Sequence, residues 1–182
     1  MVDLKEFEQK AADLRVLGMK ISIGQDTVYE KYWDEDCRRN IYSASKSFTS
    51  CAVGFAVQEG LIDLDERLMD AFKEDIPNNP DENLKKATVK DLLTMTLGQE
   101  KGFLMGKQRP RMEEQNWVKA SLAIPFVYEP GTHFVYNNVG PYLAGILVQR
   151  RAGCDLLSYL TPRLLKPLGI RKTIWEVDPE GN

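Results

Sequence analysis

Histidine is nearly missing from this chain: among 182 residues there is one, His133. Zinc chemistry, which draws on several His or Cys ligands, is poorly supported on that supply, and no metal site is expected. Cysteine is scarce too. Cys37, Cys51 and Cys154 are odd in number and far apart, so they form neither a disulfide framework nor a CxxC metal pair. They read as buried or inert thiols. No apolar run approaches the ~20 residues of a membrane helix. The charged start Met1-Val2-Asp3-Leu4-Lys5-Glu6 has no apolar signal core, which predicts a cytoplasmic chain. A basic excess is missing as well: 24 Lys plus Arg against 27 Asp plus Glu give a net charge of −3. That offers no field for nucleic-acid phosphates. There is no GxSxG, so a Ser-His hydrolase built on His133 would lack both a nucleophile elbow and an orienting acid. Gly102 to Lys107 resembles a phosphate loop, but its spacing is one residue short and no Ser or Thr follows Lys107.

What is present is ordinary for a globular protein: 43% hydrophobic and 28% charged residues. Disorder is excluded by that balance, and the length suits one domain or a small pair. Leu4, Phe7, Ala11 and Leu14 recur at helical spacing and predict an amphipathic helix over 3–16. Met19 to Ile23 and Thr27 to Trp33 read as two strands joined by a turn at Gly24-Gln25-Asp26. Residues 44–59 have a helix's length and end at Gly60. From Phe48 to Val57 the only polar side chains are small hydroxyls and a thiol, which predicts a helix buried on all sides. Ser43 stands at its N-cap position.

Lys73 to Lys86, with Pro77 and Pro80, reads as a surface loop. Thr88 to Asp91 reads as a helix cap, and Gly98 to Arg111 as a solvated loop. Asn116 to Leu122 and Pro141 to Arg151 read as helices, the second closed by Gly153. Asp155 caps a last helix that Pro162 interrupts or ends. The expected division is residues 1–40, a helix and β-hairpin, and residues 41–182, mostly helical.

Ser43-Ala44-Ser45-Lys46 is an SxxK. Three residues along a helix start are nearly one turn, so the Lys46 amine can approach the Ser43 hydroxyl. A serine becomes a good nucleophile when a neighbouring base takes its proton. A lysine can serve once burial lowers its pKa, and the apolar helix behind Lys46 offers such a setting. The helix N-terminus adds positive potential where an oxyanion would form. Tyr136-Asn137-Asn138 supplies a phenol for proton relay and an amide for a carbonyl or the lysine.

These segments stand in one order with Glu59-Gly60-Leu61-Ile62-Asp63-Leu64-Asp65, Val89 to Gly98, Glu129-Pro130-Gly131-Thr132 and Lys166-Pro167-Leu168-Gly169-Ile170. The order resembles the serine β-lactamase-related family of class C β-lactamases, DD-peptidases and esterases, from about residue 16 onward. The resemblance implies an α/β (α+β) β-lactamase/transpeptidase-like fold. It implies Ser43 as acylated nucleophile, Lys46 as its base or base partner, Tyr136 as proton relay and Asn138 as substrate or lysine contact. The Ser43 N–H would be half of an oxyanion hole. The reaction would be acyl transfer on an amide or ester of a small molecule or peptide, with no cofactor. Relatives are often exported.

Three departures from the family pattern stand out. Met95 and Leu97 replace a histidine and a serine in the Leu-Leu-x-His-x-Ser-Gly segment, which predicts altered packing. The third motif, a Lys-Thr-Gly or His-x-Gly on a strand, is absent, and Lys172-Thr173-Ile174 only mimics it. The chain stops at Asn182, roughly half the usual fold length, so the expectation is a truncated chain without its C-terminal sheet strands. Its open sheet edge would favour self-association or a complementing chain. The competing reading is a non-catalytic module that pairs through that edge.

Overall fold

The computed structural model describes residues 4–11, 13–35 and 37–182. Its contacts group the chain into two compact units, Met1–Ile41 and Tyr42–Asn182. In the first unit, helix α1 spans Lys5–Ala11 and is followed by the antiparallel strands β1, Gly18–Ile23, and β2, Asp26–Tyr32. The helix predicted over 3–16 is therefore shorter, with Asp3 and Ala12 outside the described residues. Leu14, counted in its apolar stripe, is 66% exposed. The hairpin register pairs Gly18 with Tyr32 and Ile21 with Tyr29, with an irregularity after Ile21. Glu8 fastens α1 to the hairpin: it accepts from Tyr29 Oη at 2.8 Å and from Lys31 Nζ at 2.5 Å. Among the described residues β1 and β2 pair only with each other.

The second unit is built on two 14-residue helices, α2 at Ser45–Gln58 and α7 at Val139–Ala152. Around them stand α3 at Leu68–Ala71, α4 at Glu82–Lys86, α5 at Val89–Thr94, α6 at Trp117–Leu122 and α8 at Leu156–Leu160. A π-helical turn at Thr161–Leu165 continues α8, with Pro162 inside it.

The helix buried nearly all round is α7, not α2. Val139, Gly140, Leu143, Ala144, Gly145, Ile146, Leu147 and Val148 are all buried. Helix α2 buries Thr49, Ala52, Val53 and Ala56 along one face. Ser47, Ser50, Cys51, Gly54 and Val57 stay exposed on the other. The sequence-based expectation failed because composition records how apolar a helix is, not how many faces are covered. Cys37, Cys51 and Cys154 are exposed, so of the expected buried or inert thiols they are not the buried kind.

Local rules set most helix ends. Thr88 and Asp91 form a reciprocal capping box on α5. Asn116 and Asp155 cap α6 and α8 by accepting from Lys119 N and Ser158 N. Gly153 ends α7 in the left-handed conformation, at φ 69°. The stretch Lys73 to Lys86, expected as loop, holds α4. Asp81 caps it and buried Leu84 anchors it, so a short helix was hidden among polar residues.

Beyond the last helical turn, Asp178 binds the chain end to α7. Its carboxylate accepts from Tyr142 Oη at 2.5 Å and from the N–H groups of Glu180 and Asn182, each at 2.9 Å. Burial alone would raise the Asp178 pKa, but these hydrogen bonds together outweigh it and hold the carboxyl below the usual aspartate range. A carboxyl depressed in the folded state contributes stability above its unfolded pKa of about 3.9. That stability is lost as pH falls through the folded pKa. Asp178→Asn is therefore expected to cost about 1.5–3 kcal/mol at pH 7, the range for hydrogen bonds to a charged group. The gap to the parent should narrow below about pH 4. Thermal melts of both chains from pH 7 to pH 3 check this; a gap that stays constant would reject it.

Candidate active site

Ser43 lies in a 3₁₀ turn, Tyr42–Ala44, that runs directly into α2. The residue flanking α2 at its start is Ala44, without side-chain capping, so Ser43 does not act as the predicted N-cap. Its hydroxyl is engaged elsewhere. Tyr136 Oη donates to Ser43 Oγ at 2.6 Å, and Lys46 Nζ donates to the same oxygen at 3.2 Å. Lys46 Nζ also donates to Asn138 Oδ1 at 2.7 Å and lies 5.2 Å from the centre of the Tyr136 ring. Two residues at the start of α2 and two at the start of α7, far apart in the chain, thus converge on one oxygen and one amine. Tyr42, just before the serine, has φ 47°. A non-glycine residue in that region costs of order 1–3 kcal/mol and persists where surroundings enforce it.

Tyr136 and Asn138 are positioned by the entry to α7. Asn137 is buried, and its Oδ1 accepts from Gly140 N at 3.0 Å, capping the first turn. Val135 N donates to the Met95 carbonyl at 3.0 Å. Met95 itself ends α5 in the left-handed conformation, at φ 56°.

The phenol is tuned by its neighbours. The Ser43 hydroxyl, turned to donate toward the phenolate, is the main influence lowering the Tyr136 pKa. Burial opposes it, and the Lys46 ammonium adds a hydrogen bond and a favourable charge. Ser43 Oγ, Tyr136 Oη and Lys46 Nζ form a connected set along which a proton can move in either direction.

The loop from Gly98 to Arg111, read from sequence as solvated, supports this set. Leu104 is buried, with φ 55°, and its carbonyl accepts from Asn138 Nδ2 at 2.9 Å. Phe103 O accepts from Asn138 N at 3.2 Å. A Cβ on Gly102 would lie 2.7 Å from the Tyr136 carbonyl, so that close approach requires glycine. The glycines at 98 and 102, where a Cβ would meet a backbone oxygen at 2.2 and 2.7 Å, were the signal that could have revealed this loop as a packed element.

Other predicted features lie apart. His133 contacts Thr132 Oγ1 at 2.7 Å and stacks on Tyr128 at 4.2 Å, so its described partners do not include Ser43. Lys172-Thr173-Ile174 lie exposed in irregular backbone, not on a strand. Among the described residues no cluster of His, Cys, Asp and Glu could hold a metal. A polar cleft of about 420 Å³ beside the Asp75–Arg150 ion pair and another of about 730 Å³ beside Leu61 are not lined by Ser43. Ser43 and Tyr136 are exposed, while Lys46 and Asn138 are half-buried.

The sequence model of the Beta-lactamase family matches residues 5–182. The chain belongs to that β-lactamase family, whose members include serine hydrolases and acyltransferases. Monacolin J acid methylbutanoyltransferase of Aspergillus terreus is 31% identical over 157 residues, covering 75% of this chain and 37% of that protein. Lovastatin esterase of Penicillium rubens is 31% identical over 150 residues, covering 70% of this chain and 37% of that protein. An octameric penicillin-binding protein homologue from Pyrococcus abyssi shares the fold, with TM-score 0.73 at 23% identity, over 96% of this chain and 45% of that one. The chain therefore spans a little over a third of these curated relatives and under half of that structure. The fold is β-lactamase/transpeptidase-like. No described helix is long and apolar enough to cross a membrane.

Proposed function

We propose that this chain carries the nucleophilic half of a serine acyl-transfer site, acting through a Ser43 acyl-enzyme on an amide or ester. One observation carries the reading: Ser43 Oγ lies within hydrogen-bond reach of both Lys46 Nζ and Tyr136 Oη. In the first step Ser43 Oγ attacks the carbonyl carbon while its proton passes to the Lys46–Tyr136 pair that faces it. The carbonyl π pair moves to oxygen, beside the Ser43 N–H. As the carbonyl re-forms, the bond to the leaving amine or alcohol breaks, and that group takes a proton through Tyr136. Water or an acceptor alcohol then attacks the acyl-serine, giving acid or new ester, and the proton returns to Ser43. Ester substrates are the favoured class, because one curated relative described above is named an esterase and the other a methylbutanoyltransferase. The chemistry needs no cofactor.

Intact-mass spectrometry after exposure to a fluorophosphonate, and separately to a penicillin, tests this reading. A single adduct that maps to the peptide containing Ser43 is expected. No adduct with either reagent in a folded sample would reject it.

A second reading, a module that pairs with another chain through its hairpin, is favoured by one feature. Among the described residues β1 and β2 pair only with each other, which leaves each with an unpaired backbone edge.

A further inference from the structure

Asn138 was expected to touch substrate or the lysine. Both ends of its amide are engaged within the chain. Oδ1 accepts from Lys46 Nζ at 2.7 Å, and Nδ2 donates to the Leu104 carbonyl at 2.9 Å. An amide is asymmetric: were it reversed, its NH₂ would face the ammonium and its oxygen the carbonyl, two repulsive contacts. The Leu104 carbonyl thus decides which end Asn138 presents to Lys46.

That carbonyl is itself held in place. Leu104 is buried and left-handed at φ 55°, a conformation leucine keeps only where the surroundings impose it. Phe103 O, one residue earlier, takes the Asn138 backbone N–H at 3.2 Å. Gly102, one earlier still, lies against the Tyr136 carbonyl, where a Cβ would sit at 2.7 Å. Three successive residues of one turn therefore each meet the Tyr136–Asn138 segment.

We infer that the Gly102–Leu104 turn is a positioning element that sets the Lys46 amine through the Asn138 amide. This rests on the proposed acyl-transfer reading for its consequence, but its geometry can be read without activity. Among the described residues the turn's hydrogen bonds go to Asn138 and not to Ser43 or the amine, so its influence passes through a supporting hydrogen bond.

The test is NMR of the full chain carrying ¹³C-labelled lysine side chains, with the Lys46 Cε resonance assigned from Lys46→Arg. Asn138→Leu, Gly102→Ala and Leu104→Gly are each expected to move that resonance toward those of solvated lysines. Leu104→Gly leaves the left-handed conformation open to the backbone, so it serves where Gly102→Ala does not fold. A folded turn variant that leaves Lys46 unmoved, while Asn138→Leu moves it, overturns the inference.

The second readout is the rate of fluorophosphonate labelling. Gly102→Ala should slow it between about 10- and 100-fold, the scale of small misplacements at a reacting centre. In a Lys46→Ala background the same change should add little. Equal losses in both backgrounds would make the turn merely structural and overturn the relay. A parent chain that takes no label defeats the acyl-transfer reading instead, and the Lys46 resonance still decides the positioning.

Discussion

Ser43→Ala is expected to abolish the fluorophosphonate adduct and to lower any ester turnover by up to about 10⁶-fold, the scale on which a catalytic nucleophile acts. The alanine leaves Tyr136 Oη and Lys46 Nζ facing an empty position and removes the hydroxyl that would carry the acyl group. Lys46→Met keeps the hydroxyl but removes its base and should slow labelling by about 10²–10⁴-fold. Both sites are exposed or half-buried, so melting temperatures should change little. That contrast separates chemistry from folding. A Ser43→Ala chain that still hydrolyses ester at the parent rate would remove Ser43 from the mechanism.

Gly140→Ala carries the largest expected effect on stability. A Cβ at Gly140 would lie 2.3 Å from the Leu92 carbonyl oxygen and 3.1 Å from its carbon. Both are backbone atoms of α5, which cannot swing aside as a side-chain tip would. The two helices must separate, at about 2–3 kcal/mol or more for overpacking of this kind. For a chain of this size that is roughly 5–10 °C in Tm. Gly140 lies two residues beyond Asn138, so displacement of α7 also moves the amide that meets Lys46. The control is Gly54→Ala. Gly54 is exposed inside α2, and a Cβ there would meet nothing within 4 Å. The added methyl only removes backbone freedom from the unfolded chain, which should stabilise by about 0.5–1 kcal/mol. Paired thermal melts check both; equal shifts of the two variants would contradict the close approach of α5 and α7.

Both predictions need information of different reach. The spacing alone was sufficient to bring Ser43 and Lys46 within reach of each other, because three residues at a helix start place two side chains on one side whatever the rest of the chain does, but it was the order of segments that singled them out. The sequence was also sufficient for the capping box at Thr88 and Asp91, the end of α7 at Gly153 and the hairpin turn at Gly24, where residue type dictates local backbone shape. The order of segments from Ser43 to Ile170 identified the family, which the match over residues 5–182 shows. Tyr136 and Asn138 were legible only through that order, since a tyrosine and two asparagines in a row describe many loops equally well.

Burial and approach were not legible. The sequence pointed to α2 as the buried helix and to Gly98–Arg111 as solvated, yet α7 fills the core and Leu104 is buried. Side-chain polarity along one segment cannot say which faces a distant segment will cover. Tertiary structure alone decided that Tyr136 Oη reaches Ser43 Oγ, that Asn138 presents its oxygen to Lys46, and that Gly140 must lack a side chain. Each of those is a distance between residues far apart in the chain. Local propensity fixes the shape of a few residues, whereas the packing of α5 and α7 fixes where those few residues meet.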